Sequence, residues 1–337
     1  MLELAMRFIA GLLVLIVSVC PIAAQRTNAP APLAPGRLVR VGTRQLHINC
    51  TGQGQPTVIL VHGTGAFSFD WSLVQPEVAK LTRVCSYDRA GHAWSDLAPT
   101  SQTYSEMAKD LHDLLKTAGE KAPAVLVGHS GGGAVVRVFA AQYGSEVAGA
   151  VLVETGHPDS LSIINGRLIR MTADTMPPDP VAIDGPRTLP PNPNAEIGPP
   201  YDKLPMEAQA FRLWSEREGK APASGRPSLE LKSINELREA HARGAALFAQ
   251  KPLVVISRAK GGYRPIRGIV TAEQAEEMER GRLNHIADLQ KLSSNAIAVM
   301  AEKSGHDVHL DQPGLVIEAI HRVVDSIREN RRLATSQ

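Results

Sequence analysis

The sequence predicts an α/β fold, a mostly parallel sheet covered by helices, and three observations predict it. Short β-branched runs such as residues 57–62 (TVILVH) and 147–154 (VAGAVLVE) have the composition of strands buried on both faces. Segments with apolar residues at helical spacing alternate with those runs. A glycine-rich turn, residues 128–132 (GHSGG), lies directly between one such run and a helix-like segment. A chain of 337 residues is long enough to bury a large core.

Taken in order, residues 38–41 and 45–50 read as an opening pair of strands, and 57–62 and 83–87 as short buried strands with a helix over 71–81 between them. Thr103 and Glu106 offer a capping box. Behind it, Met107, Leu111, Leu114 and Leu115 share one helical face up to Gly119. A strand at 124–127 leads through the glycine-rich turn into a helix over 134–143, and 147–154 is the next strand. The rhythm then breaks, because residues 176–205 hold ten prolines, which no sheet or helix interior tolerates. Helical segments follow near 206–217 and 228–249, strands at 253–256 and 296–300, and a closing helix over 314–327. In that last helix Val316, Ile320, Val323 and Ile327 repeat at helical spacing. The pattern assigns 38–156 and 251–330 to one core, with 157–250 inserted as a lid.

The N-terminus reads as a delivery signal. Residues 8–20 (FIAGLLVLIVSVC) are apolar and uncharged behind Arg7, and Ala23-Ala24 follow, as in a secretory signal peptide of residues 1–24. A stretch of that length falls short of a comfortable membrane span. Residues 25–37 are a Pro/Ala-rich linker. Export to the periplasm or beyond is therefore expected. In an oxidising compartment Cys50 and Cys85 could form a disulfide or remain two buried thiols. Lys+Arg 36 against Asp+Glu 34 leaves a net charge of +2, too small a field to recruit nucleic acid. Three cysteines, with no CxxC or HExxH, build no zinc framework, and neither metal nor organic cofactor is expected.

The chemistry concentrates at three turns. Gly128-His129-Ser130-Gly131-Gly132 is a G-x-S-x-G between strand and helix, the context in which a serine is lifted on a strained turn as a nucleophile. A Cβ at Gly128 or Gly132 would strike the opposing chain. Serine needs a base, and His306 in Ser304–His309 (SGHDVH), after the last strand, is favoured over His309, which fits better as packing in the helix-entry turn.

These residues are similar to those of the α/β-hydrolase superfamily. The glycine loop at His62-Gly63, the nucleophile elbow and the late histidine occur in its order. Tyr87–Gly91 (YDRAG), Trp94-Ser95-Asp96 and residues 304–313 (SGHDVHLDQP) resemble its bacterial lidded serine hydrolases, over roughly residues 38–330. The resemblance implies an eight-stranded sheet, a lid and a Ser–acid–His triad. It also makes the Cys50 and Cys85 strands neighbours, which favours the disulfide, and gives Asp88 a turn-stabilising role. The acid departs from the commoner pattern, since residues 257–271 contain no carboxylate. Glu154, at the end of the strand after the nucleophile helix, is the favoured acid, with Asp159 and Asp288 as substitutes. Asp307 reads as a solvated loop residue. The oxyanion hole is assigned to the N–H groups of Thr64 and Gly131, with His62 orienting its loop.

The sequence thus points to an exported serine hydrolase acting on a small-molecule carboxylic ester or lactone, with amides as harder substrates. The alternatives are C–C bond hydrolysis or perhydrolysis on the same triad, and a slow-turnover ligand receptor.

Overall fold

Eight strands form one mixed sheet. β1 (Arg37–Val41) and β2 (Arg44–Thr51) pair antiparallel, and β2 pairs antiparallel with β4 (Val84–Tyr87). From β4 the sheet continues parallel through β3 (Val58–Val61), β5 (Ala124–His129) and β6 (Val147–Val153). A separate two-stranded hairpin, β7 (Leu161–Ile164) and β8 (Arg167–Arg170), follows β6 in the chain. β9 (Leu253–Arg258) and β10 (Ala296–Ala301) complete the main sheet, in the order β1-β2-β4-β3-β5-β6-β9-β10. The computed structural model describes residues 31–100, 102–164, 166–175, 188–221, 227–259, 263, 265–266 and 268–333. The signal peptide, residues 25–30 of the linker and residues 176–187 of the proline-rich stretch lie outside the described residues.

Alternate residues of the central strands feed opposite faces of the sheet, as the two-residue period requires. Ile59, Leu126, Leu152 and Val255 face the layer of α2 (Tyr104–Ala118) and α3 (Gly131–Gln142). Their neighbours Leu60, Val127, Val151 and Val254 face Trp71, α1 (Gln75–Leu81) and the last helix. Side chains this deeply buried each contribute about 1.5–3 kcal/mol. The core therefore sits on both faces of β3, β5, β6 and β9.

The 157–250 segment is inserted between β6 and β9 and carries the hairpin, α4 (Met206–Arg217) and α5 (Pro227–Ala242). Core and insertion together belong to one unit, residues 32–337. The carboxyl-side elements are α6 (Ala272–Gln290), the short α7 (Val308–Asp311) and α8 (Pro313–Arg328).

Three local expectations change. The helix expected over 71–81 is split: Ser68–Trp71 forms a 3-10 turn, and α1 begins at Gln75 with Pro76 in its first turn, where a missing N–H costs nothing. The helix expected over 228–249 ends at Ala242, and Gly244 adopts φ 51°. The hairpin and α6 were not anticipated. Within α6 only Ala275 and Leu289 are buried, so the helix has almost no apolar stripe to read.

Cys50 and Cys85 stand directly opposite each other in β2 and β4 and are joined as a disulfide across a separation of 35 residues. Replacing both with serine should lower unfolding free energy by about 2–4 kcal/mol, read as a smaller midpoint in urea denaturation. An unchanged midpoint would mean that the sheet alone holds this edge.

Candidate active site

β3 and β5 are adjacent, while the chain passes from β3 outward to β4 before returning to β5. A crevice opens at the carboxyl ends of strands where the order reverses in this way. Ser130 sits there, at the turn from β5 into α3, with φ 49° and ψ −120°. L-residues rarely hold that conformation, and the surroundings enforce it. A Cβ on Gly128 would lie 2.6 Å from the Gly132 carbonyl oxygen, and one on Gly132 would strike the Val61 carbonyl. Ser130 donates its N–H to Val153 at 3.0 Å, and its carbonyl accepts the Thr155 hydroxyl at 3.0 Å.

The loop after β3 faces this turn. The Gly63 carbonyl accepts from the Ala66 N–H at 3.2 Å, from His62 Nδ1 at 2.9 Å and from the Arg89 guanidinium at 2.8 Å. Arg89 also holds the His62 carbonyl, and His62 Nε2 accepts the Arg89 N–H. His62 thus orients the loop, as its position in the sequence suggests. With those carbonyls fixed, Thr64 lies against Gly131: a Cβ on Gly131 would be 3.4 Å from the Thr64 nitrogen. Among the described residues, neither the Thr64 N–H nor the Gly131 N–H donates a hydrogen bond.

Ser130, Glu154 and His306 line one cavity of about 160 Å³, together with His157, Arg258 and His285. His306 is exposed, but its backbone is held: its carbonyl accepts His129 Nε2–H at 2.9 Å, and the Gly305 N–H reaches Asp311 Oδ2 at 2.8 Å. His309 is buried, its ring 4.7 Å from that of Trp71, which is the packing role expected for it. Among the described residues, no hydrogen bond joins the His306 ring to Ser130 Oγ or to Glu154.

Glu154 leaves β6 with φ 43°. Its Oε2 accepts the Ser257 hydroxyl at 3.0 Å and the Arg258 N–H at 2.7 Å, while Oε1 meets the Arg258 guanidinium. A carboxylate has about four acceptor positions, so one on Oε1 remains. The substitute acids are engaged elsewhere. Asp159 lies 3.7 Å from both Arg170 and Arg238, and Asp288 bonds His157 and His241. Asp307 is half-buried rather than solvated, 4.0 Å from His129 Nε2, and burial raises its carboxyl. Asp88 bridges His47 Nδ1 at 2.7 Å and the Ser68 N–H at 2.8 Å, the turn-stabilising role that the resemblance implied.

Of the four arginines buried among the described residues, three hold the site and were given no role in the sequence reading. Arg89 holds the loop after β3, Arg258 holds Glu154, and Arg137 binds the carbonyls of Gly133 and Gly156. Two had a signal: Arg89 stands in the Tyr87–Gly91 motif, and Arg258 in the Ser257-Arg258 pair where an acid was looked for and not found.

Burial also sets protonation. It pushes His129 and His92 down to about 3 and His157 to about 4, and it depresses His62 and His309. Histidines with depressed folded values stay neutral in the native state while the unfolded chain protonates below about 6.5. Their stabilisation is complete above that pH and is lost as pH falls toward the folded values. Scanning calorimetry should therefore show Tm falling between pH 7 and pH 5, with net proton uptake on unfolding; a flat profile would contradict these burials.

The comparisons agree with this geometry. Residues 58–319 match the model of the Alpha/beta hydrolase family, and the chain belongs to that family. An AB hydrolase superfamily protein of Gibberella zeae is 26% identical, covering 81% of this chain and 88% of its own length. The chain spans about a fifth of the length of the first curated relatives it matches. Among solved structures, an esterase from Exiguobacterium antarcticum superposes with a TM-score of 0.55 at 16% identity, over 87% of this chain and 100% of that one. The enol-lactonase from Burkholderia xenovorans LB400 gives 0.53 at 17%, over 85% and 98%. At such identity these likenesses establish the fold alone.

Proposed function

We propose that the protein is an exported serine hydrolase that cleaves a small carboxylic ester or lactone through an acyl-enzyme. The observation that carries this reading is the strained Ser130 at a helix N-terminus, beside the Thr64 amide and in one cavity with His306. Ser130 Oγ attacks the substrate carbonyl as His306 takes its proton, and the oxyanion forms against the N–H groups of Thr64 and Gly131. His306 then protonates the leaving alcohol, leaving Ser130 acylated. Water, deprotonated by the same ring, attacks the acyl group; the acid departs and the proton returns to Ser130.

The His306 ring is exposed and shares the cavity with both partners, and catalytic hydrogen bonds are often long before substrate binds. Glu154 takes the ring N–H on its remaining acceptor position and stabilises the imidazolium. The ester or lactone class is supported by the two structural neighbours, an esterase and an enol-lactonase. The insertion of residues 157–250 contributes His157 to the cavity and acts as the lid. Export rests on the apolar stretch 8–20, and the Cys50–Cys85 disulfide suits an oxidising compartment.

Purified protein should be labelled by a fluorophosphonate probe, and Ser130→Ala should abolish labelling while leaving the circular dichroism spectrum intact. Labelling that persists in this variant would remove Ser130 from the mechanism. On an ester and lactone panel, Glu154→Gln should lower kcat by about 10²–10⁴-fold with KM little changed. Full turnover in that variant would exclude Glu154 as the triad acid.

A further inference from the structure

We infer that His157, His241 and Asp288 form a binding site for one divalent transition-metal ion, with Zn²⁺ as the best-fitting occupant. The three come from distant parts of the chain: the turn after β6, the end of α5 in the insertion, and the end of α6. Their ligand atoms nevertheless converge. His157 Nε2 and His241 Nε2 are 3.0 Å apart, and Asp288 Oδ2 is 3.0 Å from the first and 2.7 Å from the second. Atoms bound to zinc at about 2.0–2.1 Å stand at comparable separations along the edges of a tetrahedron.

Hydrogen bonding alone accounts poorly for this triangle. If both rings carried a proton on Nε2, two donors would crowd one carboxylate oxygen at 3.0 Å from each other. One cation in their place meets three lone pairs. His241 Nδ1 is buried without a partner, so only the 2.7 Å contact with Asp288 Oδ2 holds the proton on its Nε2. Asp288 Oδ1 is held by Lys291 at 3.1 Å, which aims Oδ2 at the imidazoles. The Asp159 N–H lies 3.1 Å from His157 Nδ1. Coordination moves the His157 proton to Nδ1 and gives up the Asp159 hydrogen bond together with the ring contacts to Asp288 Oδ2, against three coordination bonds formed.

Two imidazoles and a carboxylate suit zinc and its neighbours rather than magnesium or calcium, which take oxygen donors. The His157 side chain is 4% exposed and that of Asp288 37%, so the fourth position opens toward water. The ring of His285, one turn before Asp288 on α6, stacks on His157 at 4.0 Å and walls the site. A bound ion would tie α5 of the insertion to the turn leaving Glu154 and to α6. Ser130 is not a ligand, but His157 also lines the catalytic cavity, so the test reads metal binding directly and uses no substrate.

The test is calorimetric titration of metal-stripped, full-length protein with Zn²⁺, with metal content measured after gel filtration. One Zn²⁺ per chain and a raised Tm are expected, with no response to Mg²⁺. Asp288→Asn and His241→Gln should each weaken binding at least about tenfold. Binding that neither variant weakens, or no retained zinc, would overturn the assignment. X-ray absorption of the loaded wild-type protein tests it without variants: nitrogen and oxygen neighbours with imidazole scattering support the site, and a sulfur or all-oxygen shell refutes it.

Discussion

The tight crossing of backbone at the carboxyl end of β5 is the constraint on which the rest of the structure depends. Here β5 must turn into α3 within a single residue, while β3 and β6 press from either side. Only glycine fits at 128 and 132, and Ser130 alone carries a side chain outward from the turn. A residue at φ 49° is unfavourable by about 1–3 kcal/mol, and the cost is met by parallel pairing on both flanks. The strain is therefore a consequence of the topology. A serine anywhere else on this sheet would lie flat among its neighbours.

Charge supplies the second level of order. Arg89, Arg137 and Arg258 are buried, and each grips backbone or carboxylate where a strand ends. Arg89 holds the carbonyls of His62 and Gly63 in the loop after β3. Arg137 fixes the chain leaving β6 to the first turn of α3. Arg258 brings the end of β9 to the carboxylate at the end of β6, so an acid and its counter-charge occupy neighbouring strands. Charged hydrogen bonds of this kind are stronger than neutral ones and geometrically more exacting, which suits loops that must hold position without regular pairing.

The sheet was legible because its evidence is local. Buried strands are short β-branched runs, and α2 announces itself through a capping residue, an apolar face and a terminal glycine, with Glu106 accepting the Thr103 N–H at 2.7 Å. In α6 the apolar face is missing, since only Ala275 and Leu289 are buried, although Thr271 and Gln274 form a capping box at its start. The turns that carry Ser130, Thr64, Gly131 and His306 were legible for a related reason: each stands in a local motif. The partners of Glu154 were not, because Ser257 and Arg258 lie 103 and 104 residues away and meet it only through strand order. The same holds for the His157, His241 and Asp288 cluster, whose members share no motif and meet only when the insertion folds back.

That folding back is itself directed by a buried ion pair. Arg212 on α4 bonds both oxygens of Asp70, at 3.1 and 3.0 Å, and lies 3.4 Å over the Tyr201 ring. Burial outweighs the guanidinium and lifts the Asp70 carboxyl to about 6, so the pair is ionised at neutral pH against a desolvation cost. Apolar side chains of similar volume would hold the two surfaces together at least as well. What they would lack is direction: Asp70 also accepts the Phe67 N–H at 2.9 Å, in the loop that begins at His62. The ion pair therefore sets α4 in register with that loop, while Phe211 packs against Phe69 and Trp94 around it. Position of the insertion and shape of the loop after β3 are in this way parts of one electrostatic arrangement.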